Sequence, residues 1–211
     1  MKIDRRHFLA TTASLATLAS GSLLLAGDGH AQDLSGLMEA GPLEDMVSGD
    51  ENAPVTIVEY ASMTCPHCAN FHTEIYPELK TKYIDTGKVK LIFREFPLDA
   101  RAYAASMLAR CADKQFYFPM IDVLFKQQSV WARAEDPRPP LLQIAKLAGF
   151  TQETFEACLK NQELLDNVNA IRSKAAEEFG VNGTPSFFIN GEKYSGNYTV
   201  EAMSEAIDSL L

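Results

Sequence analysis

The chain of 211 residues is 46% hydrophobic, enough for one well-cored domain with a sizeable insertion and cramped for two independent ones. Its net charge is −9; without residues 1–31, which hold three of the 19 basic residues and two of the 28 acidic ones, it is −10. Such an acidic balance argues against nucleic acid or an anionic membrane surface as the partner.

Residues 1–31 read as an export signal. A basic start carries Arg5 and Arg6, an apolar stretch covers residues 8–26, and Gly29-His30-Ala31 supplies a small-residue cleavage site with a mature start near Gln32. Residues 4–9, D-R-R-H-F-L, also resemble a twin-arginine signal. Paired arginines occur in ordinary secretory signals too, so both export routes stay open. A retained membrane anchor is the alternative, and Thr11, Thr12, Ser14, Thr17 and Ser20 weaken it by diluting the run. All four cysteines lie beyond residue 31. In an oxidising compartment they are expected to pair, and the spacing favours Cys65 with Cys68 and Cys111 with Cys158.

Residues 32–53 are polar, with Gly36, Gly41, Pro42 and Gly49, and read as a leader wrapping onto the domain, with a short edge strand over residues 43–47. Residues 55–60, V-T-I-V-E-Y, predict a buried strand. It feeds Cys65-Pro66-His67-Cys68, after which Phe71, Ile75 and Leu79 recur at helical spacing. Cys65 is thus expected at a helix N-terminus, where unpaired backbone N–H groups and the positive end of the helix dipole favour a thiolate over a thiol. Gly87 marks a break, and residues 89–96, V-K-L-I-F-R-E-F, predict a second strand ended by Pro97. The helix between the two strands has the length that joins a parallel pair.

Over residues 100–180 the pattern is helical. Ala104, Met107, Leu108 and Cys111 share a spacing, as do Phe116, Met120, Val123 and Leu124; Pro137, Pro139 and Pro140 interrupt. Residues 141–147 resume the helix, Gly149 stops it, Thr151 opens another with Glu153 in its first turn, and a last one closes at Gly180. Most of this block, Trp131 included, reads as a lid burying a small core of its own. Strand signal returns over residues 186–189 and 192–195, joined by Asn190-Gly191, a hairpin turn. Thr199 caps a final helix with Val200, Met203, Ile207 and Leu210 on one face.

The order βαβ, helical block, ββα, with C-P-H-C at the first helix and G-T-P-S-F-F-I-N-G downstream, resembles a thioredoxin-fold protein of the DsbA type over nearly all of the chain beyond residue 31. The resemblance implies an α/β fold: the thioredoxin fold with an inserted helical domain between its βαβ and ββα halves. Its parts are a leader at 32–53, the βαβ half at 54–99, the insertion at 100–180 and the ββα half at 181–211. It also implies a periplasmic thiol:disulfide oxidoreductase that donates its disulfide to unfolded exported proteins with free cysteines and is re-oxidised by a quinone-linked membrane partner. Neither a cofactor nor a nucleic acid is expected, and the short leader favours a monomer.

In this reading Cys65 is the attacking sulfur and Cys68 the resolving one. Pro66 opens the helix with a fixed φ, and His67 can turn a hydrogen bond or a positive charge toward Cys65. A zinc site at Cys68 and His72 lacks the further ligands that a closed site needs, so no metal is expected. Glu59 matches a buried acid of DsbA-like proteins; it either accepts a proton as Cys68 is deprotonated or faces water at the strand's edge. By resemblance, Thr184-Pro185 carries a cis proline facing the dithiol, and the Thr184 backbone pairs with an extended substrate. Threonine departs from the valine of well-known oxidases and is seen in isomerase-like and reductase-like relatives, so the direction of electron flow stays open. Cys111 and Cys158 either form a structural disulfide or remain two separate buried thiols. Outside the oxidase reading stand an isomerase or reductase of the same fold and a non-enzymatic chaperone or metal-binding protein.

Overall fold

The computed structural model describes residues 34–211; the export-signal reading of residues 1–31 lies outside them. Five strands, β1 (Met46–Ser48), β2 (Val55–Ala61), β3 (Val89–Glu95), β4 (Ser186–Ile189) and β5 (Glu192–Lys193), form one sheet in the order β1-β3-β2-β4-β5. β2 and β3 run parallel, and the other neighbours are antiparallel. All seven residues of β2 are buried because it is the middle strand of a sheet covered on both faces. Val55 and Ile57 pack with Phe71, Leu79, Met203 and Ile207 on one side. Val58 and Tyr60 pack with Leu37, Ile171 and Phe179 on the other.

The chain from β2 to β3 is helical in four pieces: α1 (Pro66–Asn70), a π-helical turn over Phe71–Ile75, α2 (Tyr76–Leu79) and a second π-helical turn over Lys80–Ile84. Pro77 explains the first widening. It has no N–H to donate and its ring crowds the carbonyl four residues back, so the preceding turn opens and the Tyr76 N–H reaches the Phe71 carbonyl.

The inserted helices are α3 (Ala100–Cys111), α4 (Tyr117–Lys126), α5 (Gln128–Trp131), α6 (Arg138–Leu147), α7 (Gln152–Leu159) and α8 (Gln162–Glu177). Asp99, Thr151 and Asn161 cap α3, α7 and α8 with side-chain oxygens. Contrary to the expectation of a lid with its own core, Leu108, Tyr117, Leu124 and Trp131 share one apolar cluster with Met63, Cys65, Cys68 and Phe93. The helical block therefore forms one wall of the dithiol's surroundings. Cys111 and Cys158 are bonded, Cα to Cα 6.1 Å, which staples the end of α3 to α7.

At the hairpin, Asn190 (φ 47°) and Gly191 (φ 87°) both take the left-handed conformation that a type I′ turn requires. β5 covers only Glu192–Lys193, against the expected 192–195: both its residues are exposed, and beyond it the Tyr194 ring lies across Gly196. Thr199 caps α9 (Val200–Asp208), in which Met203 and Ile207 are buried. Leu210, expected on that face, lies past the helix end and is exposed. Among the described residues no helix is long and apolar enough to cross a membrane.

Candidate active site

Cys65 is the N-cap of α1, with an extended backbone (φ −76°, ψ 121°), and Pro66 follows at the first helical position. Proline has no N–H, so the first free donors of the helix belong to His67 and Cys68, and both face the Cys65 sulfur. Cys65 and Cys68 are in the dithiol state. Cys68 is fully buried and Cys65 is 6% exposed, while Pro66 and His67 stand in solvent. A substrate can therefore reach only the Cys65 sulfur, at the edge of the apolar cluster.

Opposing influences act on that sulfur. A hydrogen bond from the Cys68 thiol favours the Cys65 thiolate most; burial opposes it; the Thr184 side chain and the N–H groups of Cys68 and His67 add to it, and the Cys65 pKa falls to about 5. Thr184 acts at two atoms. Its carbonyl accepts from the Cys65 thiol at 3.2 Å, whereas its buried hydroxyl has no other partner and is a donor available to the thiolate. Cys68 shifts the other way. Burial raises its pKa well above the ordinary value, helped by its hydrogen bond to Cys65 and the charges of Glu59 and Cys65. Two cysteines three residues apart are thus split into a stabilised thiolate and a stabilised thiol.

The contribution of His67 is its backbone N–H; its exposed side chain makes no hydrogen bond to Cys65. Glu59 is buried, not at a wet edge, and both its oxygens face His72 Nε2, at 3.1 and 3.0 Å. The imidazole stacks on Phe125 of α4 with ring centroids 4.4 Å apart. His72 Nδ1 is buried without a partner, which puts the ring hydrogen on Nε2, the atom with acceptors in reach. Thr184-Pro185 is cis, and Tyr198 donates its hydroxyl to the Pro185 carbonyl at 3.2 Å while its ring packs on Phe187.

Further residues grip the loop ahead of Cys65. Thr64 Oγ1 donates to Asp99 Oδ2 at 2.7 Å, and the same Asp99 caps α3 with its other oxygen. The Gln128 amide donates to the carbonyls of Met63 and Cys65, each at 2.9 Å. Sequence reasoning missed Thr64, Asp99, Gln128 and Tyr198 and saw His72 only as half of an incomplete zinc pair. His72 alone carried a usable signal, since it follows Cys68 by one helical turn and so faces the same way.

The split between the cysteines has a thermodynamic consequence. A group whose pKa is depressed by folding adds stability that is complete above its unfolded pKa and vanishes as the pH falls through the folded one. Cys65 in the reduced protein therefore stabilises the fold increasingly from about pH 5 up to about pH 9. Cys68, with its raised pKa, begins to act against folding only above that window. Urea unfolding of the reduced and oxidised proteins across this range will show a difference that grows with pH, by about 2 kcal/mol between pH 5 and 7 once solvent at the site's mouth is allowed for. A flat difference means that the thiol is not depressed.

A Thioredoxin family model matches residues 43–209. The chain is 39% identical over 168 residues to a Rickettsia bellii protein bearing the name protein-disulfide oxidoreductase, covering 79% of this chain and 64% of that protein, a little under two thirds of its length. It is 30% identical over 170 residues to disulfide bond formation protein D of Bacillus cereus, covering 77% of each. Among solved structures it is similar to α-DsbA1 of Wolbachia pipientis, with TM-score 0.77 and 34% identity over 84% of this chain and 96% of that one.

Proposed function

The chain belongs to the thioredoxin family, and from that premise we propose that it is a DsbA-type thiol:disulfide oxidoreductase that oxidises exported proteins in the periplasm through Cys65 and Cys68. The observation that carries this reading is the opposite treatment of the two sulfurs: one held as a thiolate near the surface, the other as a buried thiol.

From the disulfide state, a substrate thiolate attacks the Cys65 sulfur; a bond forms between them and the Cys65–Cys68 bond breaks, its electron pair leaving on Cys68, which takes up a proton. A second substrate thiolate then attacks the substrate's own sulfur and expels Cys65 as a thiolate. The substrate has lost two electrons and the enzyme has gained them. Cys65 leaves readily because the donors around it already suit its negative charge, and the same donors favour the reduced enzyme, so its disulfide is a strong oxidant. Burial first, then the hydrogen bond to Cys65 and the charge of Glu59, which pairs with His72, keep Cys68 protonated between turnovers. Leu98, Val130 and Tyr198 are exposed on the segments that hold the active-site loop and suit the apolar side chains of an unfolded substrate.

Equilibration of the dithiol with glutathione tests the reading. The expected potential is more oxidising than about −200 mV, the range of glutaredoxins; a value near the −270 mV or so of thioredoxin refutes the oxidase. Scrambled ribonuclease, which only an isomerase reactivates efficiently, separates the isomerase alternative. In the cell, re-oxidation falls to a quinone-linked membrane partner, and the protein works as a monomer.

A further inference from the structure

We propose that Gln128 is a positioning residue for the redox site: through the carbonyls of Met63 and Cys65 it holds Cys65 in the N-cap geometry that makes its thiolate stable. The inference rests on the exchange chemistry proposed above and adds a role for the helical block.

The stabilising donors on the Cys65 sulfur are the N–H groups of His67 and Cys68, and a side chain at an N-cap meets them only while its own backbone stays extended and its carbonyl points down the helix. The Cys65 carbonyl has one helical partner, the Ala69 N–H at 3.1 Å, so a single bond sets its direction from within the helix. Gln128 adds a second at 2.9 Å, using the other lone pair, and spends its remaining amide hydrogen on Met63, on the far side of Thr64. One planar amide thereby fixes two carbonyls of the segment that turns from β2 into α1.

Gln128 is itself well seated. It opens α5, whose Trp131 is fully buried and donates its ring N–H to the Leu124 carbonyl at 2.8 Å. Another tether of this loop, Thr64 to Asp99, lies in solvent and does not touch Cys65. Beyond the apolar packing around the dithiol, Gln128 is thus a hydrogen-bonded contact through which the inserted helices reach the Cys65 backbone. Two neutral hydrogen bonds to carbonyls place no charge near the sulfur, so the effect is one of orientation.

The test is the absorbance of the Cys65 thiolate at alkaline-to-acid pH in the reduced wild type, Gln128→Ala and Gln128→Met, with the glutathione equilibrium measured beside it. Methionine keeps the length and loses both donors, so it reads the same quantity should alanine disturb the packing. The expected result is a wild-type transition near 5 and a rise of about one unit in both variants, with a glutathione equilibrium about tenfold less oxidising. A purely structural role would lower the melting temperatures of reduced and oxidised forms alike and leave the titration where it was, which overturns the proposal. Loss of the fold in both variants overturns it as well, by making Gln128 a stability residue. A wild-type transition near the ordinary thiol value instead defeats the oxidase reading itself, so the two failures are told apart.

Discussion

Replacing Cys65 with serine is expected to reduce oxidation of a dithiol peptide to the buffer level, whereas replacing Cys68 is expected to leave a protein that reacts once and stops. The asymmetry follows from where each sulfur sits. Serine at position 65 keeps the shape and the facing N–H donors, but it cannot form the bond to a substrate sulfur on which the exchange depends. Cys68 cannot take over, because it is fully buried and its pKa is held well above the ordinary value, first by burial. In Cys68→Ser the Cys65 sulfur, at the edge of the apolar cluster, remains and attacks glutathione disulfide, yet no resolving thiol releases the adduct. Mass spectrometry will find one glutathione per chain on Cys65 and none on the Cys65→Ser protein. Peptide oxidation that survives in Cys65→Ser contradicts the assignment; suppression of aggregation that survives alone points to a chaperone that only binds.

The parts of the fold that were legible in sequence are those whose cause is local. Five β-branched or aromatic residues among the six at 55–60 gave a strand ahead of C-P-H-C, and Asn190-Gly191 gave a turn, because each segment carries its own reason for its conformation. Glu59 was ambiguous for a physical reason. Alternation separates a wet face from a dry one, but β2 has neighbours on both sides and no wet face, so an acid there has to be buried and to find a partner. That partner, His72, lies across the space between strand and helix, where periodicity says nothing. Gln128 is further still from Cys65 in sequence, and a polar residue at the end of an apolar run looks like any surface residue until the helix beside it is packed. Pro77, inside a helix predicted to be regular, forced a π-helical turn over Phe71–Ile75 that a simple count of apolar positions could not register. The chemistry-bearing cysteines were readable, and the side chains that tune them were not, because tuning is done by tertiary neighbours.

The second large effect lies away from the dithiol. Glu95, at the end of β3, is fully buried and holds Arg110 of α3 with both oxygens, at 2.5 and 2.7 Å, while the Tyr117 hydroxyl of α4 donates to it at 2.7 Å. Three elements meet on one carboxylate, tying the sheet to the inserted helices. Burial works against the charge on Arg110, yet Glu95 and Tyr117 outweigh it and raise its pKa further, so the guanidinium cannot escape by losing its proton. Glu95→Ala therefore leaves a permanent charge, its side chain only 7% exposed, with one bond remaining to the Glu44 carbonyl. Breaking a buried pair from one side costs about 3–5 kcal/mol, a large share of a typical domain's stability, and lowers the melting temperature by on the order of 10 °C. Glu95→Leu combined with Arg110→Met decides what the loss consists of. If the cost is the stranded charge, the apolar pair restores most of the stability, since a buried ion pair replaced by well-packed apolar residues is often neutral. If the double variant melts as low as Glu95→Ala, the carboxylate's bond to Tyr117 is what joins sheet to insertion. A Glu95→Ala protein that melts within 2 °C or so of wild type contradicts both accounts.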